Sequence, residues 1–161
     1  IAETLAWAEW PFTPLPGVDR KTLIVKGTLE VTEDKGENTA IETRQFKQND
    51  IYTFKGNWTI KGKAVDWPVT DFNLMTTKGY MGSLKVEQIS QEISGVLLSA
   101  FKTGIYVLDD SEVTIEIGSD TYTLSQGDFI LIDGEENKEI KISSTENCKI
   151  ALAEVFAPPS S

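Results

Sequence analysis

The chain contains no histidine, and this absence excludes more chemistry than any other feature of its composition. Ser-His-Asp and Cys-His mechanisms need an imidazole base, and a His-ligated metal site needs the same side chain. The single cysteine, Cys148, excludes an internal disulfide, and no histidine is present to activate it as a nucleophile. We therefore expect Cys148 to be a small strand residue. No apolar run approaches the roughly 20 residues of a membrane span.

Positive charge is also scarce, because 15 Lys and Arg residues stand against 25 Asp and Glu residues, for a net charge of −10. Nucleic acids and anionic membrane surfaces attract basic faces, so neither is an expected partner. A chain of 161 residues fits one domain. The low cysteine usage suits a reducing compartment, and the expected location is the cytoplasm.

Apolar and polar residues alternate with a period of two along most of the chain. The alternation is clearest in Thr22–Thr32, Leu84–Glu87, Val113–Ile117, Tyr122–Leu124 and Ile140–Ile142. Each segment predicts a half-buried strand. Phe129–Ile132 is apolar throughout and predicts a central strand buried on both faces.

Turn signals separate these strands at short intervals. They are Asp34-Lys35-Gly36, Lys55-Gly56-Asn57, Lys61-Gly62-Lys63, Gly118-Ser119-Asp120 and Asp133-Gly134. Many short strands with frequent turns predict an all-β sandwich or barrel of antiparallel hairpins.

The chain contains an internal repeat. Leu23–Val31 followed by Gln48–Phe54 has the same pattern as Val107–Ile115 followed by Gln126–Ile132. The repeat predicts two tandem β-modules, over about 1–90 and about 91–157, packed into a single domain 1–161. The string Leu124–Asp128, which leads into an apolar strand, resembles the second half of a cupin barrel. That resemblance implies a double-stranded β-helix, here a bicupin of the RmlC-like jelly-roll type.

Cupin enzymes carry a pattern resembling G-x5-H-x-H-x3-E-x6-G, whose His and Glu side chains hold a metal inside the barrel. Gly27 matches the last glycine, and Arg20 then stands where the ligating Glu would be. Pro14 and Pro16 fall on the two histidine positions. A guanidinium cannot ligate a cation and proline offers no donor atom, so we predict no metal and no other cofactor. The planar fork of Arg20 instead suits a carboxylate or phosphate, unless it pairs with Asp19 or another acid at the surface.

The second module offers a competing carboxylate site. Gly104 is followed by Asp110, Glu112 and Glu116 at spacing that imitates the metal motif, and oxygen ligands alone can hold Ca²⁺ or Mn²⁺. However, Val113–Ile117 places its apolar side chains on one face, so Glu112 and Glu116 are expected to point to water.

Two strings resemble the HutD/Ves family. The first is Trp10-Pro11-Phe12-Thr13-Pro14-Leu15-Pro16-Gly17-Val18-Asp19-Arg20, and the second is Phe54–Thr59 followed by Thr70-Asp71-Phe72-Asn73-Leu74-Met75. Family members carry segments of the form "PFS-x-FPG-x-DR-x-L" and "DFN-x-M". The resemblance covers residues 1–90 well and the remainder loosely. The family's usual opening segment, of the form "W-x-G-G-x-T", is not found here, and Trp10 replaces the small residue expected before Pro11.

The resemblance implies a metal-free bicupin with a ligand-sensing or regulatory role linked to histidine catabolism, for which N-formylglutamate is a proposed ligand of the family. The matching residues are Phe12, Pro16, Gly17, Asp19, Arg20, Asp71, Asn73 and Met75. Of these, the expected ligand-binding residues are Arg20, Asn73, Asp71, Phe12, Pro16 and Met75. Phe72 and Leu74 alternate with Asp71 and Asn73, so one face is expected to pack the core and the other to meet the ligand.

Three functions are compatible with these features. The first is a non-enzymatic binding or regulatory protein for a small anionic ligand, a carboxylate. The second is a metal-free isomerase or lyase, in which Asp71, a tyrosine or a lysine would do the acid–base work. The third is an interaction module that uses exposed tryptophans, among Trp7, Trp10, Trp58 and Trp67. A homodimer is compatible with all three.

Overall fold

The computed structural model describes residues 2–4, 9–36, 38–90, 92–98, 100–134 and 138–158. These residues form β-strands joined by turns, with no helix among them, so the all-β prediction is confirmed. In the same residues, nothing has the length and apolar character of a membrane-crossing helix. The strands are β1 (Ala2–Thr4), β2 (Glu9–Pro11), β3 (Val18–Asp34), β4 (Glu42–Lys47), β5 (Ile51–Lys55), β6 (Thr59–Thr77), β7 (Met81–Ile89), β8 (Glu92–Leu98), β9 (Lys102–Val107), β10 (Val113–Ile117), β11 (Asp120–Leu124), β12 (Phe129–Asp133), β13 (Lys138–Ser143) and β14 (Cys148–Phe156).

The chain divides into two compact units, residues 1–78 and 79–161. Strand β7, which the sequence places in the first module, pairs with β14 of the second unit along its whole length. The organisation of the chain as one bicupin domain stays a prediction.

The first unit is an antiparallel sheet organised around two long strands, β3 and β6. The first part of β3 also pairs with β5, and its second part pairs with β4. The strands β1 and β2 pair with β6. The buried side chains of this unit form one apolar cluster: Ile24, Leu29, Val31, Tyr52, Phe54, Ile60, Ala64 and Val69.

The second unit contains two four-stranded antiparallel sheets, in the orders β11-β10-β13-β8 and β12-β9-β14-β7. Both sheets supply side chains to one core, as expected for a jelly roll. For example, Ile115 of β10 and Ile150 of β14 are both almost fully buried in it. The alternation that predicted half-buried strands at Val113–Ile117 and Ile140–Ile142 thus corresponds to the core face of the first of these sheets.

The internal repeat is visible in the turns at Asp50 and Asp128. Each carboxylate accepts a hydrogen bond from the backbone N–H three residues earlier, at 2.8 Å from Lys47 and at 2.9 Å from Ser125. The residue before each aspartate has a positive φ, of 74° and 84° respectively. The two turns therefore have the same conformation and the same side-chain lock.

The same turns fix equivalent points on β3 and β9. The backbone of the turn exchanges two hydrogen bonds with Ile24 in the first unit, at 2.8 and 3.0 Å. It exchanges the same two with Val107 in the second unit, at 3.0 and 3.1 Å. Ile24 is thus equivalent to Val107, and by the same spacing Arg20 is equivalent to Thr103. The strand pairing gives the same equivalence. Arg20 lies opposite Phe54 and Thr103 lies opposite Ile132, and each of these partners follows its turn aspartate by four residues.

The prediction of a fully buried central strand at Phe129–Ile132 is wrong. Strand β12 lies at the edge of its sheet, and Phe129 and Leu131 are 47% and 57% exposed, whereas Ile132 is buried. Alternate residues of an edge strand can face outward even when they are apolar. The Phe129 ring also lies over Gly104, where an added Cβ would come within 2.8 Å of it.

The predicted turn at Lys61-Gly62-Lys63 is also wrong, because these residues lie within β6. A Cβ at Gly62 would stand 2.9 Å from the ring of Phe12 and 3.0 Å from that of Trp10. Glycine is required here so that two aromatic rings can lie directly on the strand. Close approach of other groups is one of the common reasons for a glycine within a sheet.

Cys148 begins β14 and is fully buried, as expected for a small strand residue. Its Sγ donates to Oδ1 of Asp109 at 3.0 Å. Burial, with the neighbouring carboxylate, raises the pKa of the thiol to about 12, so the reactive thiolate is scarce at neutral pH. We expect no labelling by iodoacetamide in the native protein at pH 8 and one label per chain in urea, as read by mass spectrometry. Native labelling at the rate of a free thiol would contradict the buried position.

Candidate ligand-binding site

Arg20, on β3, is a buried cation and is only 6% exposed. Its guanidinium carbon lies 4.8 Å from the ring centre of Phe54 and 5.4 Å from that of Phe12. Nη1 donates to the carbonyl oxygen of Thr13 at 3.1 Å, while the buried Nε has no hydrogen-bond partner among the described residues. Burial lowers the pKa of Arg20 and the charge of Asp71 opposes that effect. Because arginine is effectively always protonated in proteins, the side chain remains a fixed positive charge.

The segment before β3 brings Phe12 and Thr13 to Arg20. The Phe12 N–H donates to the carbonyl of Ile60 at 2.9 Å, and the Leu15 N–H donates to the carbonyl of Gly56 at 2.8 Å. These bonds fasten the proline-rich segment to β6 and to the turn that follows β5. The chain then turns into β3 at Gly17, whose φ of 81° is a left-handed backbone conformation that glycine adopts without strain.

A cavity of about 200 Å³ opens beside Arg20. At a liquid volume of about 30 Å³ for each water, it has room for about seven waters or a small organic acid. It is lined by Trp10, Pro11, Phe12, Thr13, Arg20, Leu29, Val69, Asp71 and Asn73. The walls are mostly apolar and aromatic, with a few polar groups, as is usual for small-ligand sites.

A series of side-chain hydrogen bonds links β3 to β6 beside Arg20. The Thr22 hydroxyl donates to Oδ1 of Asn73 at 2.6 Å, and Nδ2 of Asn73 donates to Oδ2 of Asp71 at 2.6 Å. The register explains the arrangement, because Thr22 lies directly opposite Asn73 on the β3–β6 pair. Burial raises the pKa of Asp71, and the Asn73 hydrogen bond opposes this effect. These two hydrogen bonds therefore hold the Asp71 carboxyl in one orientation at the cavity.

The second unit lacks this polar character at the equivalent positions. Arg20, Thr22, Asp71 and Asn73 of the first unit correspond, in that order, to Thr103, Ile105, Ile150 and Leu152 of the second. Three of the four second-unit residues are aliphatic and belong to its apolar core. The equivalent positions of the paired strands are thus mostly apolar in one unit and charged or hydrogen-bonding in the other. Stability of the fold does not require the polar set, so its presence needs another explanation.

Four of the six residues predicted to bind a ligand line the cavity, namely Arg20, Asp71, Asn73 and Phe12. The other two do not line it, because Pro16 is exposed on the incoming segment and Met75 is 44% exposed. The surface pairing of Arg20 with Asp19 is not formed. Asp19 pairs instead with Lys55, across β3 and β5, at 2.8 Å.

Phe72 and Leu74 do not belong to the apolar cluster of the first unit. Val69, Asp71 and Asn73 are the alternate residues of β6 that line the cavity, and Val69 belongs to the apolar cluster. Phe72 and Leu74 lie on the other face and are half-buried. The alternation itself was predicted, but the polar side chains are the ones that face the interior.

Sequence reasoning missed several lining residues, including Trp10, Thr13, Leu29 and Val69. Trp10 enters because β2 pairs with β6, with Trp10 opposite Gly62, more than fifty residues later. The glycine at position 62 was the available signal, although it was interpreted as a turn. Of the other tryptophans, Trp58 packs against the apolar cluster, Trp67 is 51% exposed and Trp7 lies outside the described residues.

A second charged cluster, formed by Tyr52, Glu33, Lys35 and Arg44, lies next to the Phe54 ring that contacts Arg20. Tyr52 stacks on Phe54 at 4.6 Å between ring centres, and its hydroxyl donates to Oε2 of Glu33 at 2.6 Å. Glu33 is almost fully buried and also pairs with Arg44 at 2.9 Å and Lys35 at 3.0 Å. Burial alone would raise the pKa of Glu33, but the three hydrogen bonds outweigh it and lower the pKa from 4.5 to about 2.

The residues at the cupin metal position do not fit a metal. Arg20 lies in the interior where the sequence alignment placed the ligating Glu, and a cation there would be repelled by its charge. In the second unit Asp110, Glu112 and Glu116 are exposed, as the alternation predicted for the last two. Within the described ranges, no three His, Cys, Asp or Glu side chains are grouped so that they could hold a metal ion.

This all-β fold with an apolar-walled cavity in a β unit belongs to the cupin-like jelly-roll class. A cupin 2 conserved barrel domain protein from Leptotrichia buccalis is similar over 95% of this chain and 80% of its own, with a TM-score of 0.62 and 13% identity. At such low identity the likeness shows the fold alone. No curated protein sequence is significantly similar to the chain.

The sequence model of the HutD family matches residues 7–151, so the chain belongs to the HutD family. Two solved structures from Pseudomonas share the fold. A conserved protein of unknown function from Pseudomonas aeruginosa PAO1 aligns with a TM-score of 0.79 and 16% identity, over 92% of this chain and 75% of that one. HutD from Pseudomonas fluorescens SBW25, solved in a formate condition, aligns with a TM-score of 0.68 and 16% identity, over 92% and 73%.

Proposed function

We propose that this HutD-family protein binds a small carboxylate at Arg20, without a metal, and acts as a ligand-sensing or regulatory protein rather than an enzyme. The observation that carries the proposal is the buried guanidinium of Arg20 beside a cavity of about 200 Å³. Burying a cation costs free energy unless it is paired and hydrogen-bonded. A ligand carboxylate would complete the hydrogen bonding of the guanidinium, and such charge-assisted bonds are among the strongest in proteins.

The comparison of the two units supports a functional origin for this charge. Thr103, at the position of Arg20, is fully buried in a unit whose equivalent interior is otherwise aliphatic. An apolar interior is therefore compatible with the fold, and replacing buried charges by apolar residues is often neutral or stabilising. A buried arginine that the architecture does not need is best explained by a ligand.

The size and walls of the cavity narrow the ligand to a small organic acid. Phe12 and Trp10 provide flat apolar surface beside the charge, which suits the carbon skeleton of an amino-acid derivative. N-formylglutamate, the ligand suggested by the family resemblance, is of this class. Formate, present in the condition in which the Pseudomonas fluorescens HutD structure was solved, is the smallest probe of the same chemistry.

The proposal predicts a thermal shift with small carboxylates that depends on Arg20. At 100 times its Kd a ligand stabilises the native state by about 2.7 kcal/mol, which is roughly 5–10 °C in Tm for a chain of this size. The panel is formate, acetate, glutarate and N-formylglutamate, each compared with sodium chloride at equal ionic strength. Arg20→Met should abolish the shift, and Arg20→Lys should reduce it, because an ammonium cannot form the bidentate pair.

The matched control is Arg44→Lys, which changes the other arginine that packs over aromatic rings, at 5.5 Å from Phe46. Arg44 does not line the cavity, so its variant should bind like the wild type. A complete lack of shift across the panel, or a shift that Arg20→Met retains, would refute the proposal.

A metal-free lyase or isomerase is the second candidate, because Asp71 is a cavity carboxyl whose pKa is raised by burial, as expected for a general base. Incubation of each bound acid with the protein in D₂O, followed by NMR, separates the two functions. Deuterium exchange or turnover that Asp71→Asn removes would favour the enzyme. Binding without chemical change favours the sensor.

A further inference from the structure

Two opposite charges line the same cavity in the first unit. Arg20 lies on β3, and Asp71 lies on β6, displaced along the paired strands. They interact electrostatically, yet they form no direct ion pair within the chain that the structure describes. Arg20 instead donates to Thr13, and Asp71 accepts from Asn73. The cavity therefore presents a cationic donor and an anionic acceptor as separate sites.

This pair of charges constrains the ligand more than Arg20 alone does. A simple carboxylate bound at Arg20 would place a second negative charge near Asp71 in a partly desolvated site, where like charges repel strongly. A carboxylate oxygen also cannot donate a hydrogen bond, so the acceptor capacity of Asp71 would be blocked from water and left unused. A ligand with both a carboxylate and an N–H donor avoids both costs.

The neighbours of Asp71 keep it available as an acceptor. The Asp71 carboxyl accepts a hydrogen bond from Asn73 on Oδ2 and a further one from its own backbone, whereas an ionised carboxylate has about four acceptor sites on its two oxygens. The Asn73 side chain is itself fixed by Thr22, which donates to its Oδ1. The carboxyl is thus oriented by the protein on one side and can receive a ligand N–H on the other, in the arrangement that gives strong discrimination between donors and non-donors.

Building on the carboxylate site proposed above, we propose that Asp71 makes this cavity selective for carboxylates that carry an N–H donor near the carboxylate, the class of amino acids and their N-acyl derivatives. Arg20 binds the carboxylate, Asp71 accepts the N–H, and Phe12 and Trp10 cover the carbon skeleton. The set is confined to the first unit, because the position equivalent to Asp71 is Ile150 in the second.

The test compares two acids that differ only in the donor. N-acetyl-L-alanine has an amide N–H next to its carboxylate, and O-acetyl-L-lactate has an ester oxygen at the same place. Calorimetry on the wild-type chain should give an amide Kd at least tenfold lower than the ester Kd. Equal Kd values for the two acids, with binding still dependent on Arg20, would overturn the selectivity and leave the carboxylate site intact.

The Asp71→Asn variant locates the selectivity. It keeps the shape of the side chain and its contact with Asn73 while it removes the negative charge and supplies a donor. The ester should then bind more tightly than to the wild type, and the amide preference should fall below about threefold. Retention of the full preference in Asp71→Asn would overturn the role of Asp71. If neither acid binds and the wider carboxylate panel is also inactive, the proposed function fails together with this inference.

Discussion

Replacement of Glu33 by glutamine should lower the free energy of unfolding at pH 7 by about 3 kcal/mol. The carboxylate has a folded-state pKa of about 2 against an ordinary value of 4.5, and each pKa unit corresponds to about 1.4 kcal/mol. Because the folded-state pKa is depressed, this stabilisation is fully present above about pH 4.5. It is lost as the pH falls from 4.5 through the folded-state pKa of about 2, and only below that pKa is Glu33 neutral in both states.

The measurement is urea unfolding of wild type and Glu33→Gln at pH values from 7 down to 2, followed by tryptophan fluorescence. The two curves of unfolding free energy against pH should converge in the acid range. Glu30→Gln is the matched control, since Glu30 lies on the same strand and accepts a hydrogen bond from the exposed Gln45. It should change the stability by less than about 0.5 kcal/mol. A constant difference between wild type and Glu33→Gln at all pH values would show that the charge of Glu33 is not what stabilises the fold.

Substitution of Gly56 by alanine should destabilise the chain by about 3 kcal/mol, at the upper end for an overpacked site. An added Cβ would stand 2.0 Å from the carbonyl oxygen of Leu15 and 2.9 Å from that of Val18. Both neighbours are backbone atoms, so the incoming segment would have to move. Because that segment carries Phe12 and Thr13 to Arg20, the same variant should also weaken carboxylate binding.

Gly134 is the equivalent residue of the second unit and gives an internal replicate. There a Cβ would stand 1.9 Å from the carbonyl oxygen of Ala100, so Gly134→Ala should cost a similar amount without affecting the Arg20 cavity. Gly17→Ala and Gly118→Ala are the controls, because these glycines have positive φ but no atom within 4 Å of an added Cβ. The free energy of unfolding of these two variants should fall by only roughly 1 kcal/mol, which is the cost of holding a residue with a Cβ in the left-handed backbone region. Denaturant unfolding measures all four, and equal losses would refute the steric argument.

The features that sequence patterns predicted are those set by local physics. The period of two predicted strands because successive side chains of a strand point to opposite faces. The sequence repeat matched Gln48–Phe54 with Gln126–Ile132, and the aspartates of both segments make the same hydrogen bond to the backbone three residues earlier. The resemblance to the cupin motif put Arg20 at the position of an interior ligand, with pairing at the surface as the alternative, and Arg20 is buried.

The features that were not predicted depend on pairing between distant segments. Gly62 has the local character of a turn residue, and only the packing of Trp10 and Phe12 shows why a strand needs it. The exposure of Leu131 depends on the position of β12 at a sheet edge, which its own sequence does not encode. By contrast, the alternation at Phe72 and Asn73 predicted that Asp71 and Asn73 share the face that meets the ligand, and both line the cavity.

The ion pairs at the ends of the repeated strands have opposite polarity in the two units. In the first unit an acid on β3, Asp19, faces a base on β5, Lys55. In the second unit the base, Lys102, lies on β9 and faces the acid, Asp133, on β12. Two similar modules in one chain are at risk of exchanging strands while they fold, as tandem domains do. An exchange of β5 with β12 would set Asp19 against Asp133 and Lys55 against Lys102, and like charges facing each other across strands are unfavourable. The inverted polarity therefore makes the exchanged pairing less favourable than the native one at these two positions.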